Sequence, residues 1–209
     1  MEKIVENKIK IQIDNEDFIA NILHDIKSPL YSIKIGLSNH LDTELSRDIF
    51  ETTLNTINYI ENFLTNYNFK IGKFENKIET CDIKKCIIQK LENLKYLFTN
   101  KNIYVDFKYN NEDYKVNSIP IFISSIIGNL VSNIAFHAKE NELAKIEIYK
   151  KNNQIIASFE NKYSNENHNF NLGLDFCQRL SRECKIETKF LKSETDVKVY
   201  LKIPNLINC

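Results

Sequence analysis

The chain has 209 residues, of which 43% are hydrophobic and 27% are charged, as in soluble globular proteins with a buried core. Lysine and arginine together number 28, as do aspartate and glutamate, so the formal net charge is zero. This balance argues against binding to nucleic acid or to an anionic membrane, and the lack of a run of about eighteen apolar residues argues against a membrane span.

The cysteines and the N-terminal residues indicate a cytoplasmic protein. The chain has five cysteines, an odd number, and no pair has C-x-x-C spacing. Free thiols in a reducing compartment are therefore expected, rather than a disulfide framework or a zinc site. The first residues, MEKIVENKIKIQID, are charged and lack the apolar core of a signal peptide.

Two amphipathic helices are predicted in the first third of the chain. After an N-terminal arm over residues 1–16, apolar residues recur every three or four positions through residues 17–39 and again through residues 44–69. A short polar break joins the two segments, which predicts an antiparallel hairpin over residues 17–70. Because one hairpin cannot enclose both apolar stripes, two copies are expected to pair as a four-helix bundle in a homodimer. The alternative is that the hairpin packs on the remainder of its own chain.

A second domain is predicted over residues 78–209, after a linker at residues 71–77 that contains Gly72. Its helices and strands interleave without regular β-α-β order, which favours an α/β sandwich with helices on one face of the sheet. The predicted elements, in chain order, are a helix over 82–99 capped by Asp82, a strand near 103–107, a helix over 118–138, strands at about 144–150 and 154–160, a helix over 172–184 and a strand near 196–203.

The first helix carries the segment HDIKSPL, which runs from His24 to Leu30. His24 lies just beside the apolar stripe, where its imidazole can reach solvent, and Asp25 follows it directly. Ser28 lies one helical turn after His24 on the same face, and Pro29 removes a backbone donor and is expected to bend the helix. A lone histidine on such a helix is more commonly an ordinary surface or core residue, so the interpretation depends on the whole segment.

This segment resembles the phospho-acceptor box of bacterial two-component histidine kinases, in which a histidine, an acidic neighbour and a Ser, Thr or Asn one turn later precede Pro-Leu. The resemblance implies that His24 handles phosphate, that Asp25 orients its ring, and that Ser28 positions a water molecule. It also implies docking of a response regulator receiver domain, and the magnesium ion belongs to that partner's site.

The segment NLVSNIAFHA, Asn129–Ala138, resembles the helix that holds magnesium and the ATP phosphates in the same family. The resemblance places Asn133 at the metal-binding position and Asn129 at the position one turn earlier. The alternative is a pair of buried amides that bond to neighbouring backbone. The implied fold class is a helical hairpin forming a dimeric four-helix bundle, followed by an α/β sandwich of the histidine kinase type.

The other nucleotide motifs of the family are incomplete. The resemblance places Asn161 where the family's D-x-G-x-G motif has its aspartate, and the residues KYSNEN that follow contain no glycine. The motif G-x-G-L becomes NLGL, in which Gly173 alone remains, and residues 162–172 are too few for the family's mobile lid. These positions, with Asn129 and Asn133, are therefore expected to form a vestigial nucleotide site. Tight ATP binding is not expected, and no cofactor is required.

Without ATP, His24 cannot readily phosphorylate itself, so the expected function is a phosphatase that acts on a response regulator's aspartyl phosphate. Three alternatives stay open: a histidine phosphotransferase that relays phosphate through His24 between regulators, a genuine sensor histidine kinase, and a non-enzymatic scaffold that sequesters a regulator. The second domain is expected to be a regulatory platform, with a small-molecule signal in the vacated pocket.

Overall fold

The computed structural model of the chain describes residues 26–27, 30–38, 43–70, 77–163 and 171–204. The chain divides into two compact units, Met1–Phe74 and Glu75–Cys209. The predicted N-terminal arm lies outside the described residues, and the predicted domain boundaries stay predictions.

The helical unit contains helix α1 over residues 30–38 and helix α2 over Glu44–Lys70. Helix α2 begins with a reciprocal cap. Thr43 Oγ1 accepts a hydrogen bond from the backbone N–H of Ser46 at 3.1 Å, and Ser46 Oγ accepts one from the backbone N–H of Thr43 at 3.2 Å. Because this cap satisfies a donor that the first helical turn leaves unpaired, it explains why α2 begins at residue 44.

One face of α2 is buried, and its apolar residues recur every three or four positions, at Phe50, Leu54, Ile57 and Ile60. The predicted amphipathic segment over residues 44–69 also contains Leu45 and Ile49 as apolar stripe positions, and these are instead 68% and 43% exposed. Both lie in the first two turns of α2, before the buried run that begins at Phe50. The burial of Leu54, Ile57 and Ile60 agrees with the predicted stripe.

The α/β unit contains four helices and seven strands among its described residues. They are β1 (Glu79–Asp82), α3 (Ile83–Asn93), α4 (Lys95–Asn100), β2 (Tyr104–Tyr109), β3 (Lys115–Ser118), α5 (Pro120–His137), β4 (Leu143–Lys151), β5 (Gln154–Lys162), α6 (Asn171–Glu183), β6 (Glu187–Lys192) and β7 (Asp196–Pro204).

These strands form two sheets. A five-stranded sheet has the order β2-β4-β5-β7-β6, and a separate two-stranded sheet pairs β1 with β3. Strand β2 is parallel to β4, and every other pair is antiparallel. The predicted mixed α/β architecture is therefore confirmed, whereas the dimeric four-helix bundle stays a prediction.

Several predicted elements differ from the observed ones. The helix expected over residues 82–99 is two helices, because the backbone at Leu94 has φ −107° and ψ 7° and interrupts it. The first predicted strand of this domain lies one to two residues later, at Tyr104–Tyr109. Strands β1, β3 and β6 were not predicted, since each is short and shows little apolar alternation. Asp82 caps α3 as expected, since its Oδ1 accepts the Lys85 backbone N–H at 3.0 Å.

Helix α5 is the centre of the core. It is buried on nearly all sides, with Ile126, Ile127, Leu130, Val131 and Ile134 each at most 2% exposed. Among the described helices, it alone is long and apolar enough to cross a membrane, but 67% of that stretch is buried inside the domain. Its position in the core accounts for both properties, because a helix enclosed by other elements needs no polar face.

Candidate functional site

The three residues of the predicted phosphate site, His24, Asp25 and Ser28, lie outside the described residues. Their roles in catalysis stay predictions. Two described residues that lie near them in the sequence, Lys27 and Tyr31, contact α2.

Glu61 on α2 contacts Lys27, which precedes Ser28 in the chain, and Tyr31, which follows it. Its Oε1 lies 2.8 Å from Lys27 Nζ and accepts a hydrogen bond from Tyr31 Oη at 2.9 Å. The ammonium groups of Lys27 and Lys34 also lie 5.4 Å and 5.5 Å from the centre of the Tyr31 ring. These contacts join Lys27 and Tyr31 to the same residue of α2.

The hydroxyl of Tyr31 stays protonated over the whole physiological range. Burial, followed by the hydrogen bond to Glu61 and the charge of Glu61, raises the pKa of Tyr31 to about 12. A protonated phenol can donate to Glu61, while a phenolate would repel it. Glu61 was not among the predicted site residues, because its partners lie about thirty residues away in the chain. The spacing of Lys27 and Tyr31, one helical turn apart, was the available signal.

In the α/β unit, the structure brings two predicted site residues to one cavity. Asn133 on α5 and Asn161 on β5 both line it, and the remaining lining residues are Leu130, Ile134, Phe159, Val197 and Val199. The cavity measures about 10 Å³, which is at most the room needed for one water molecule. Ligand pockets are typically about 300–1,000 Å³, so this cavity does not admit an adenine ring.

The two side-chain amides that line this cavity differ in their hydrogen bonds. Asn161 is 4% exposed, and its Nδ2 donates to the Lys162 carbonyl at 2.9 Å. Asn133 Nδ2 is buried without a hydrogen-bond partner. A buried amide donor without a protein partner, beside a cavity of this size, can be satisfied by one water molecule.

The structure does not bring Asn129 to this cavity. Asn129 is 2% exposed, and its Nδ2 donates to the Ser125 carbonyl one turn earlier on the same helix, at 2.9 Å. This is the bond expected of a buried amide that serves neighbouring backbone. Gly173 lies in the first turn of α6. The roles of both residues in cofactor binding stay predictions.

Metal-binding groups are sparse in the described part of the chain, which contains no cluster of three or more His, Cys, Asp or Glu side chains placed to hold an ion. Cys81 and Cys177 are buried, and burial raises their pKa values to about 11 and about 12 respectively. These thiols are therefore protonated and act as small apolar core residues.

Solved structures assign the α/β unit to the fold of histidine kinase catalytic domains. The catalytic domain of histidine kinase ThkA matches with a TM-score of 0.56 and 20% identity, over 63% of this chain and 99% of that one. Histidine kinase AdeS of Acinetobacter baumannii matches with a TM-score of 0.59 and 15% identity, over 85% of this chain and 94% of that one. The cytoplasmic segment of histidine kinase QseC matches with a TM-score of 0.56 and 12% identity, over 69% of this chain and 92% of that one. No protein-family model and no curated protein matches the sequence.

These matches confirm the resemblance to histidine kinases at the level of the fold. The AdeS match covers 85% of this chain, which is more than the α/β unit occupies, so the likeness extends into the helical unit. Because identities of 12–20% establish a fold rather than an activity, the chemistry has to be argued from the residues present.

Proposed function

We propose that this chain is a cytoplasmic two-component signalling protein of the histidine kinase type that hydrolyses the aspartyl phosphate of a response regulator and does not use ATP. The helical unit carries the chemistry, and the α/β unit is a regulatory platform. A small-molecule signal would act on that platform.

The observation that carries this proposal is the state of the cavity between Asn133 and Asn161. The space that these residues share is about 10 Å³, and the Asn161 amide donates to the backbone carbonyl of the next residue, Lys162. An amide at the position of the family's aspartate also lacks the charge that strengthens a bond to the adenine amino group, which costs about tenfold in affinity. The missing glycines after Asn161 support the same conclusion, since side chains there occupy space that a nucleotide would need.

Hydrolysis needs only water, a docked partner and the residues of the HDIKSPL segment. Water attacks the phosphorus atom, the bond to the partner's aspartate oxygen breaks, and inorganic phosphate and a free carboxylate result. In the proposal, the Ser28 hydroxyl orients the water in line with the breaking bond, and Asp25 orients the His24 ring beside it. The contacts of Glu61 with Lys27 and Tyr31 support the geometry of this segment from α2.

The apolar surface of the helical unit supports a homodimer. Four large apolar side chains of α1 and α2 are about half exposed or more: Ile33 44%, Ile35 63%, Leu45 68% and Phe63 50%. A second hairpin would remove this surface from water, at about 25 cal/mol for each Å² of apolar area buried. The pairing would place one phosphate site on each side of a four-helix bundle.

The decisive experiment uses the full chain and a panel of receiver domains phosphorylated with acetyl phosphate. We expect wild-type protein to release inorganic phosphate, and Ser28→Ala to reduce the rate at least tenfold, because an oriented nucleophile is lost. Ser38→Ala is the matched control, since the Ser38 hydroxyl donates only to the Ile35 carbonyl of its own helix at 2.7 Å.

The same experiment separates the other functions. Stable phosphohistidine on His24, formed from the phosphorylated receiver and unaffected by Ser28→Ala, would identify a phosphotransferase instead. Labelling by Mg-ATP alone would identify a kinase. Binding of a phosphorylated receiver without any transfer or loss of phosphate would identify a scaffold.

A further inference from the structure

Strand β2 is the free edge of the five-stranded sheet among the described strands, since it pairs only with β4. The Tyr104 backbone N–H donates to the Glu142 carbonyl at 3.1 Å. In a parallel ladder, alternate residues direct both peptide groups to the neighbouring strand. Tyr104, Asp106 and Lys108 therefore face β4, and the peptide groups of Val105, Phe107 and Tyr109 point away from the sheet.

The same three outward-pointing residues carry apolar side chains on the helix side of the sheet. In the register with β4, Val105, Phe107 and Tyr109 lie beside the buried Ala144, Ile146 and Ile148. Their cover is nevertheless incomplete, because Val105 and Phe107 are half-buried and Tyr109 is 49% exposed. An edge strand whose outward peptide groups meet no other described strand, and whose apolar side chains are accessible, is a template for pairing with another strand.

A groove of about 450 Å³ adjoins this edge. The buried side chains of Phe98 and Ile103 contribute to its lining, together with Leu91 and Val105, while Glu92 and Lys95 are exposed parts of its wall. Since Val105 belongs to both the edge and the groove, a side chain placed opposite Val105 by an added strand would enter the groove.

The charges on the other face of β2 identify the strand that fits. Asp106 and Lys108 are adjacent on the solvent face of this strand, with 3.3 Å between Lys108 Nζ and Asp106 Oδ2, and their side chains are 37% and 66% exposed. Consider a second copy of β2 added in antiparallel orientation and centred on Phe107. Its outward peptide groups meet those of the first copy, with Phe107 opposite Phe107 and Val105 opposite Tyr109.

This register places opposite charges together. Asp106 of each copy lies opposite Lys108 of the other, and the pair occurs twice because the contact is two-fold symmetric. A shift to either neighbouring register that keeps the hydrogen bonds would place Asp106 opposite Asp106, or Lys108 opposite Lys108. One register is therefore selected by two features, the residues whose peptide groups point outward and the charges that lie opposite each other.

We propose that β2 is a self-association edge, through which the α/β units of two copies of this chain join their sheets by antiparallel pairing about Phe107. The contact covers Val105, Phe107 and Tyr109, and the Tyr109 ring of each copy enters the groove beside Val105 of the other. It is separate from the helical dimer proposed above and does not rest on the phosphatase function.

The test mixes two full-length variants, Asp106→Cys and Lys108→Cys, that differ in mass through an affinity tag. Directly opposite residues of a non-hydrogen-bonded pair have Cα atoms about 4.5 Å apart, which suits a disulfide. With copper–phenanthroline as the oxidant, we expect the mixture to form a heterodimer joined between positions 106 and 108, identified by peptide mass. Each variant alone should form at most one-tenth as much cross-linked dimer.

A charge-exchange series supplies the second measurement. Asp106→Lys and Lys108→Asp should each weaken the association measured by sedimentation about tenfold, by placing like charges opposite each other, and the double exchange should restore it. Lys189→Asp, at an exposed position of the opposite edge strand β6, is the matched control and should change nothing.

Absence of the 106–108 disulfide in the mixture overturns the proposal, and so does a double exchange that associates no better than the single variants. Either result would leave this edge to an extended segment of a different protein. Neither result bears on phosphate release by the helical unit, so the two proposals fail separately.

Discussion

The helical unit and the α/β unit differ in how completely their apolar residues are covered and in which motifs of the histidine kinase resemblance they contain. In the α/β unit the core is complete, with α5 enclosed on nearly all sides, while the pair Asn133 and Asn161 face a cavity of about 10 Å³. In the helical unit the apolar cover is incomplete, with Leu45 68% and Ile35 63% exposed, while the predicted phosphate motif is intact in the sequence.

The fold of the α/β unit and its candidate site depend on different side chains. The residues that hold the α/β unit together, such as Ile127 and Val131, are 1% and 0% exposed and do not line the cavity. The fold is therefore compatible with different residues at the cavity, and the proposed regulatory platform needs only the core.

The largest expected effect is on the α/β core. Ile127→Ala should lower the free energy of unfolding of the α/β unit by about 2–5 kcal/mol, because it removes three buried carbons and leaves a cavity. Urea denaturation followed by circular dichroism measures the loss. Ile121→Ala on the same helix is the matched control, because Ile121 is 41% exposed, and it should cost less than about 0.5 kcal/mol.

Hydrogen exchange on the same variants sharpens the comparison of the two units. If they unfold separately, Ile127→Ala will reduce protection of the amides in α5 and leave α2 protected. Equal loss of protection in both helices would contradict the separation.

A smaller effect is expected in the helical unit from Glu61→Gln, which removes the charge that pairs with Lys27. The two side chains are 30% and 39% exposed, so solvent screening limits the loss to about 0.5–1 kcal/mol. The pKa of Tyr31 should also fall from about 12 towards its usual value of 10.0. Absorbance of the phenolate, taken as the difference from Tyr31→Phe, measures this titration. Asp48→Asn, at an exposed position of α2, is the control and should leave the pKa of Tyr31 unchanged.

The pH dependence of the stability that Tyr31 contributes follows from which state of the chain, folded or unfolded, holds its proton. Between pH 10 and about 12 the folded chain keeps the Tyr31 proton that the unfolded chain has lost. The stabilisation is therefore fully present below pH 10 and is lost as the pH rises towards 12. Stability of the helical unit that is independent of pH over this interval, after subtraction of the Tyr31→Phe curve, would contradict the assigned contact.

The smallest effect concerns the solvent face of the sheet. The hydrogen-bonded ammonium of Lys198, 2.6 Å from Glu160, lowers the pKa of that carboxyl, and Lys145 on the other neighbouring strand adds to the effect. The stability that this gives is present above the unfolded pKa of 4.5 and is lost as the pH falls through the lower folded value. The free energy of unfolding of the wild-type protein should fall at acid pH by roughly 0.5 kcal/mol more than that of Glu160→Gln. Glu147→Gln, at an exposed position on the same face, should behave like the wild type.

Much of the fold was predictable because its elements follow strong local patterns. The alternation of β4 and β5 and the apolar run of α5 predicted those elements to within about two residues. The short strands β1 and β3 were missed, since they are stabilised by pairing with each other across more than thirty residues of chain rather than by local alternation. Strand β6 was missed although it pairs with the next strand, β7, because its own sequence shows little apolar alternation. The break at Leu94 also has no local signal in the form of glycine or proline.

The site was predictable in part. The resemblance to histidine kinases selected Asn133 and Asn161, which are 28 positions apart in the sequence. The structure brings both residues to one cavity. It could not predict that the Asn129 amide bonds to Ser125 of its own helix, because a buried amide and a ligand-binding amide have the same spacing. Nor could it identify Glu61, whose importance depends on the packing of α2 against the residues around Tyr31.

Isothermal titration of the full chain with magnesium and a non-hydrolysable ATP analogue distinguishes a phosphatase that does not use ATP from a kinase. We expect no saturable heat at millimolar nucleotide, and the same result for Asn133→Ala, because the cavity that the described residues form beside Asn133 measures about 10 Å³. Saturable binding at micromolar nucleotide that Asn133→Ala abolishes would contradict the account and would make the chain a kinase candidate.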